Sequence, residues 1–347
     1  MRWCSVFHHT PMVWSGWQRG HTGAVPFVDV PLTPATAVTS WLVDVPTLVV
    51  VTGLAGAYWW LRSVAARRDA GVGRGRAVCF LLLGCAVWLV AACSFIGVYA
   101  DTLFWVRALQ VVLLMFVVPF GLALGKPVAV LRGAMGSTGR ARVDAVIGGR
   151  AARVLTYPAT VSIAMLATPW LLYLTPWYSA VLQHQGVDQL TRLILVAVGF
   201  GYFYSRLQVD PVPHRYSQLV SLGITIVEVL GDGLLGIVIW LGPEIAAEYY
   251  QQFHRSWGPD RRTDQAIGAG ILWLLGDVIG IPFLLVLMRA FSLDERAHAA
   301  EIDAELDDVE EGVLPDGGGP GEVAEPAAPA GLWWESDPQL QERFRRG

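Results

Sequence analysis

Leu103-Phe104-Trp105-Val106-Arg107-Ala108-Leu109-Gln110-Val111-Val112-Leu113-Leu114-Met115-Phe116-Val117-Val118-Pro119-Phe120-Gly121-Leu122-Ala123-Leu124 contains a single ionisable side chain. A helix needs ~20 mainly apolar residues to cross the hydrocarbon core of a bilayer. One that is apolar around most of its circumference has no polar face to turn toward water. Residues 103–124 therefore predict a membrane-spanning helix. Six stretches of similar character surround it, at 42–61, 77–98, 154–175, 188–207, 216–241 and 265–290. Of the 347 residues, 54% are hydrophobic and 16% charged, against roughly 25% charged in a soluble domain. The expected fold class is all-α: a polytopic membrane helix bundle of about seven transmembrane helices, multi-pass in the plasma membrane.

Charge is segregated along the chain. Residues 292–347 hold 15 acids against 4 arginines, whereas the rest holds 21 basic residues against 14 acids. The net charge of −4 thus carries no nucleic-acid signal. Basic residues alternate between loops: 62–76 holds Arg62, Arg67, Arg68, Arg74 and Arg76, and 125–153 holds Lys126, Arg132, Arg140, Arg142, Arg150 and Arg153. Loops 99–102 and 176–187 hold none. Basic loops stay cytoplasmic, so the N-terminus is expected outside and the C-terminal tail inside. Loop 242–264 is an exception, external yet carrying Arg255, Arg261 and Arg262. Three regions follow: an extracytoplasmic segment 1–41, a seven-helix domain 42–291, and an acidic, largely disordered cytoplasmic tail 292–347. The first is rich in Trp and His and has no uninterrupted apolar core, so it does not read as a secretory signal. The tail runs through a Gly/Pro/Ala linker to Trp333 and Trp334. These two rings are read either as dipping into the lipid interface or as docking a partner protein.

Ionisable residues inside a span are costly, roughly 2.5–3.5 kcal/mol for an acid near the centre. Glu228 and Asp232 lie four apart in the sixth span, on one helix face, with Glu228 expected near mid-membrane. Asp277 lies in the seventh. Arg107 and Arg192 sit about one turn inside the third and fifth spans, with Asp188 one turn before Arg192, where together they can frame an outward-opening polar pocket. Three readings of the acids stay open: groups that fix helix packing, a proton or ion pathway, and a site for a metal ion or cofactor. The two arginines either snorkel and pair with Asp188 or bind a substrate. Metal ligands are thin. Cys79, Cys85 and Cys93 form no C-x-x-C pair, and no span carries a histidine. Soft ions such as Cu(I) want thiol, thioether or imidazole donors. There is no P-loop and no H-E-x-x-H. Lys126, the only lysine, stands in a loop rather than in the last span, which excludes a retinal Schiff base. An intramembrane serine protease would need a base paired with its nucleophile. No enzymatic activity is expected.

Four motifs carry a resemblance: Trp41-Leu42-Val43-Asp44-Val45-Pro46 opening the first span; Pro119 with Leu124-Gly125-Lys126-Pro127 closing the third; Asp210-Pro211-Val212-Pro213-His214-Arg215-Tyr216-Ser217 after the fifth; and Asp264-Gln265 with Trp273 opening the seventh. In order and spacing the chain resembles the multi-span CtaG-type cytochrome c oxidase assembly proteins over roughly residues 41–296, as a divergent, actinobacterial-like member. The resemblance implies a membrane assembly factor that binds terminal oxidase subunits or other assembly factors during copper or haem insertion. It also implies a departure. Where relatives have outer-leaflet histidines, this chain reads Arg107 and Val111, Tyr173, Asp188 and Arg192. Arginine cannot ligate a metal, so the assembly role carries over while direct copper binding at that site does not. Copper stays a possible cofactor, with no metal-binding residue assigned. The alternative is a transporter of copper, protons or a small solute that uses the intramembrane carboxylates.

Overall fold

A computed structural model describes residues 28, 30–68, 71–150, 152, 157–207, 218–253 and 255–274, for residues 158, 218–226 and 229 as backbone alone. All of them belong to one contact unit, Met1–Phe291. Among the described residues every regular element is helical. The helices are α1 (Pro34–Thr39), α2 (Val45–Ala66), α3 (Arg74–Cys93), α4 (Phe95–Tyr99), α5 (Phe104–Val112, continued through Leu113–Val117 and Val118–Leu124), α6 (Pro127–Ala134) and α7 (Ser137–Ile147). They continue with α8 (Pro158–Leu174), α9 (Trp177–Gln183), α10 (Gln185–Leu207), α11 (Gln218–Leu241), α12 (Ala247–Gln251) and α13 (261–274).

Four of these are long and apolar enough to cross a membrane: α2, α3, the rod Phe104–Ala134 made by α5 and α6, and α10. A fifth is the bent pair α8–α9. Here the chain departs from the expected bare loop at 176–187. Pro176 cannot continue the hydrogen-bond ladder of α8, and the helix restarts as α9 at 69° to it. The sixth expected span coincides with the 24-residue α11. Only the start of the seventh, in α13, falls within the described residues. The basic segment 125–153 is itself helical over α6 and α7. Large apolar side chains such as Val49, Leu82, Leu193, Leu230 and Leu234 point outward and are exposed, as lipid-facing positions require.

The centre of the bundle packs through backbone contact. Both α3 and α5 contain a π-helical stretch, Phe80–Ala86 and Leu113–Val117. A Cβ built on Gly121 of α5 would lie 2.5 Å from the backbone nitrogen of Gly84 in α3. A Cβ on Gly199 of α10 would lie 2.1 Å from the Met115 carbonyl oxygen. Pro119, four residues after Met115, has no N–H to give that carbonyl its α-helical partner. The chain widens there and α10 closes onto the gap, which only glycine permits. Close approach at small residues is how helices associate in a bilayer, where water supplies no drive between them.

Three of the four motifs quoted above prove to be junctions. The Tyr58 hydroxyl donates to the Gly125 carbonyl at 2.8 Å, and the Tyr58 ring stacks on Phe80 with centroids 3.8 Å apart. Lys126 then takes a left-handed conformation, φ 49°, and turns the chain into α6. Asp264 accepts the backbone N–H groups of Phe104 at 3.2 Å and Trp105 at 2.9 Å, so a carboxylate from α13 caps the N-terminus of α5. Burial pushes the Asp264 carboxyl up, opposed by those N–H groups and by Arg255. Gln265 accepts from the Ile245 N–H and donates to the Ile239 and Pro243 carbonyls. The motif at Asp210–Ser217 lies outside the described residues.

Candidate functional site

The N-terminal ends of α2, α5 and α10 converge on one ion-paired network. Asp44 precedes α2, Asp101 precedes α5, and Asp188 sits in the first turn of α10. Two arginines join them. Arg107 donates through Nη1 to Asp188 Oδ1 at 2.7 Å and to Gln110 Oε1 at 2.8 Å, and through Nη2 to Asp101. Arg192 donates through Nη1 to Asp44 Oδ2 at 2.9 Å and pairs through Nη2 with Asp188 Oδ2 at 2.6 Å. Asp188 thus bridges both cations. Gln189 and Thr47 complete the shell of Asp44, while Gln110 donates to the Ala91 carbonyl at 2.7 Å. Arg107 is 3% exposed and Arg192 7%.

With all five ionised, three carboxylates face two guanidinium groups, leaving one formal negative charge in a buried place. Helix N-termini explain why this is tolerable. Each carries roughly half a positive charge and favours anions nearby, and three of them point at the network. Breaking one partner out of such a pair leaves an uncompensated buried charge at a cost of about 3–5 kcal/mol. A cavity of about 10 Å³ remains among Arg107, Gln110, Asp188, Thr191, Arg192 and Tyr178, enough for about one water molecule. The network is closed: it holds helices together and has no room for a solute.

The seven residues read from sequence do not form a single cluster. Arg107, Asp188 and Arg192 meet as described. Tyr173 lies close by, its ring 5.1 Å from that of Tyr178 and 5.6 Å from that of Phe104, with its buried hydroxyl making no hydrogen bond among the described residues. Glu228 belongs elsewhere. It accepts from Arg206 at 3.0 and 3.1 Å and from the Tyr202 hydroxyl at 2.8 Å. Arg206, which also reaches Ser162 of α8, sits in the last turn of α10, 18 residues after Asp188 and so about 27 Å along the helix. Glu228, mid-way along α11, is therefore tied to the C-terminal end of α10, away from the Asp188 network. Asp232 is half-buried one turn further along α11. Asp277, Trp333 and Trp334 lie outside the described residues.

Sequence reasoning missed Asp44, Asp101, Gln110, Gln189, Tyr202 and Arg206 as members of these networks. Asp44 carried a signal, since it stands inside the quoted motif that opens the first span. Arg206 carried another, as a cation on the same helix as Asp188.

As a holder of copper the first network is a poor fit. Its carboxylates are engaged by guanidinium N–H groups, and none of its side chains is a thiol, thioether or imidazole. Cys93 lies beside it, its carbonyl accepting from the Leu42 N–H at 2.7 Å, but it is one buried thiol. Among the described residues no group of three or more His, Cys, Asp or Glu side chains is placed to hold a metal ion.

Comparison with known proteins places this arrangement. The chain is similar to an uncharacterized protein of Mycobacterium bovis and one of Mycobacterium tuberculosis, each 23% identical over 287 residues, covering 80% of this chain and 43% of the relative. It is also 23% identical over 241 residues to an uncharacterized protein of Mycobacterium leprae, covering 67% of this chain and 36% of the relative. The chain thus matches about two-fifths of the length of these relatives. No solved structure matches it. The model of the cytochrome c oxidase caa3 assembly factor family (Caa3_CtaG) matches residues 56–292, about two-thirds of the chain. The chain belongs to the cytochrome c oxidase caa3 assembly factor family.

Proposed function

We propose that this membrane protein assists assembly of a respiratory cytochrome c oxidase in the plasma membrane by binding an oxidase subunit or another assembly factor, rather than by ligating copper in its buried network or by catalysing a reaction. The N-terminus faces out and the tail faces the cytoplasm. Family membership supports the assembly role. The observation that carries the binding mechanism is the closure of the Asp44–Asp101–Arg107–Asp188–Arg192 network, whose acids are paired to arginine and whose cavity admits only about one water. A group so engaged fixes the shape of the surface above it, which suits recognition of a protein.

The purified full-length chain, loaded with Cu(I) and washed, should carry no metal that is lost on Asp44→Asn or Asp188→Asn. The tagged chain, cross-linked in membranes, should recover oxidase subunits. Stoichiometric copper that disappears in those variants would overturn the mechanism. The transporter reading instead needs intramembrane carboxylates that load and unload, so Asp232→Asn and Glu228→Gln in liposomes are the variants that decide it. Loss of copper or proton uptake at normal protein abundance would favour transport.

A further inference from the structure

We propose that the face formed by the α2–α3 connection and α6–α7 is a docking surface for anionic phospholipid headgroups, with α7 lying at the bilayer surface. Four observations converge on it. First, α7 has no buried residue, although it is an 11-residue helix. An isolated helix shorter than about 12–15 residues is marginal in water, and the described residues tie it to α6 through Arg140, which donates to the Arg132 and Met135 carbonyls, and through the Arg132–Asp144 pair, contacts that bury none of its side chains.

Second, its neighbours fix its height. The hydrogen bond from Tyr58 to Gly125 sets the two rods level. Just beyond lie Trp59 and Trp60, 55% and 65% exposed, the residue type that gathers at the membrane–water interface. From Gly125 to Ala134, where α6 ends, is nine residues or about 13 Å of helix. Arg68, donating to the Ala134 carbonyl at 2.7 Å, holds the α2 end beside it. The residues from 134 on therefore begin within roughly a Debye length of the Trp belt, ~10 Å at 0.1 M salt.

Third, the face is strongly and freely charged. Segments 62–76 and 125–153 hold 11 cations against Asp69 and Asp144. Asp144 is paired with Arg132, and Asp69 lies outside the described residues. Arg67, Arg74, Arg76, Arg142 and Arg150 are exposed and make no ion pair or side-chain hydrogen bond among the described residues. Structural arginines elsewhere in the chain, such as Arg107 and Arg255, are tied to acids. These five are left for a partner of opposite charge. Fourth, Val143, Val146 and Ile147 recur at three- and four-residue spacing on α7, and Val146 is 73% exposed, giving an apolar strip beside the cations. Cations next to an apolar strip, at the level where spans leave the membrane, match a phosphate headgroup above acyl chain. A free acidic peptide would match the cations alone.

The test uses the full-length protein in phosphatidylcholine liposomes doped with spin-labelled phosphatidylglycerol or spin-labelled phosphatidylcholine. The immobilised fraction of each is read by electron paramagnetic resonance. The surface predicts severalfold selectivity for phosphatidylglycerol, since each cation near an anionic surface contributes roughly fivefold in binding. It also predicts that selectivity falls as salt is raised. Replacing the five free arginines by glutamine should bring selectivity close to one, and replacing them by lysine should keep it. Equal immobilisation of the two lipids by the wild-type protein overturns the proposal, as does selectivity that survives the glutamine variant. Should the glutamine variant fail to fold, the wild-type salt titration decides: selectivity unmoved by salt overturns the proposal.

Discussion

Arg107 shows how one side chain decides the chemistry of this site. A guanidinium one turn inside a span is costly unless paired, and it is paired twice, to Asp101 and Asp188. Arg107→Ala should lower stability by about 3–5 kcal/mol, read as the shift of thermal unfolding in detergent, because it takes away the cation paired with Asp101 and one of the two paired with buried Asp188. Asp188→Ala should cost less, because Arg107 keeps Asp101 and Arg192 keeps Asp44. The double variant Arg107→Met with Asp188→Leu should lose clearly less than the sum of the single losses, and simple additivity would refute the pairing. Arg107, Asp188 and Arg192 were legible in sequence because an ionisable residue in an apolar run stands out. Asp101 was not, since it sits at a span edge, where charge is cheap and uninformative, and Asp44, at another edge, was marked only by the motif around it. Glu228 was legible as a buried acid but its partner was not, because Arg206 stands in the last turn of α10, where a cation at a span end is unremarkable. The arginines of loop 242–264, which run against the alternation of basic and bare loops, are engaged by the protein's own groups. Arg255 pairs with Asp264, Arg262 donates to the Trp240 and Gly242 carbonyls that end α11, and Arg261 faces Glu244. Charges bound to the protein's own groups report poorly on which side of the membrane a loop lies.

At the scale of the element, four of the expected spans, and a fifth if the bent pair α8–α9 is one span, were readable because length and apolarity suffice to identify them. Their internal irregularities were not. The π-helical stretches at Phe80–Ala86 and Leu113–Val117 leave hydropathy unchanged, and only Pro119 hinted at the second. The bend between α8 and α9 had a signal in Pro176, but an apolar segment on each side obscured it. At Gly199, α10 lies against the backbone of α5. Gly199→Ala should cost about 1–3 kcal/mol through overpacking against the Met115 carbonyl. Gly56→Ala, whose added methyl meets nothing within 4 Å, should be neutral or slightly stabilising. Thermal unfolding of both variants in one detergent checks the pair, and equal behaviour would remove the backbone-contact explanation of this packing.

Considered whole, the described residues hold two ion-paired networks at opposite ends of α10, with apolar packing between them. The first ties α2, α5 and α10; the second ties α8, α10 and α11. A variant lacking Glu228, Glu228→Gln, should weaken only the second network, leaving oxidase assembly intact at reduced protein abundance. Abundance by immunoblot beside oxidase activity per membrane protein distinguishes that outcome from a functional acid. The most direct measurement is the reduced-minus-oxidised absorbance spectrum of membranes from a strain deleted for the gene, with copper analysis of the purified oxidase. Loss of the oxidase haem and copper signals is expected, restored by the wild-type chain. Normal spectra, copper content and oxidase activity in the deletion strain would contradict the assembly role.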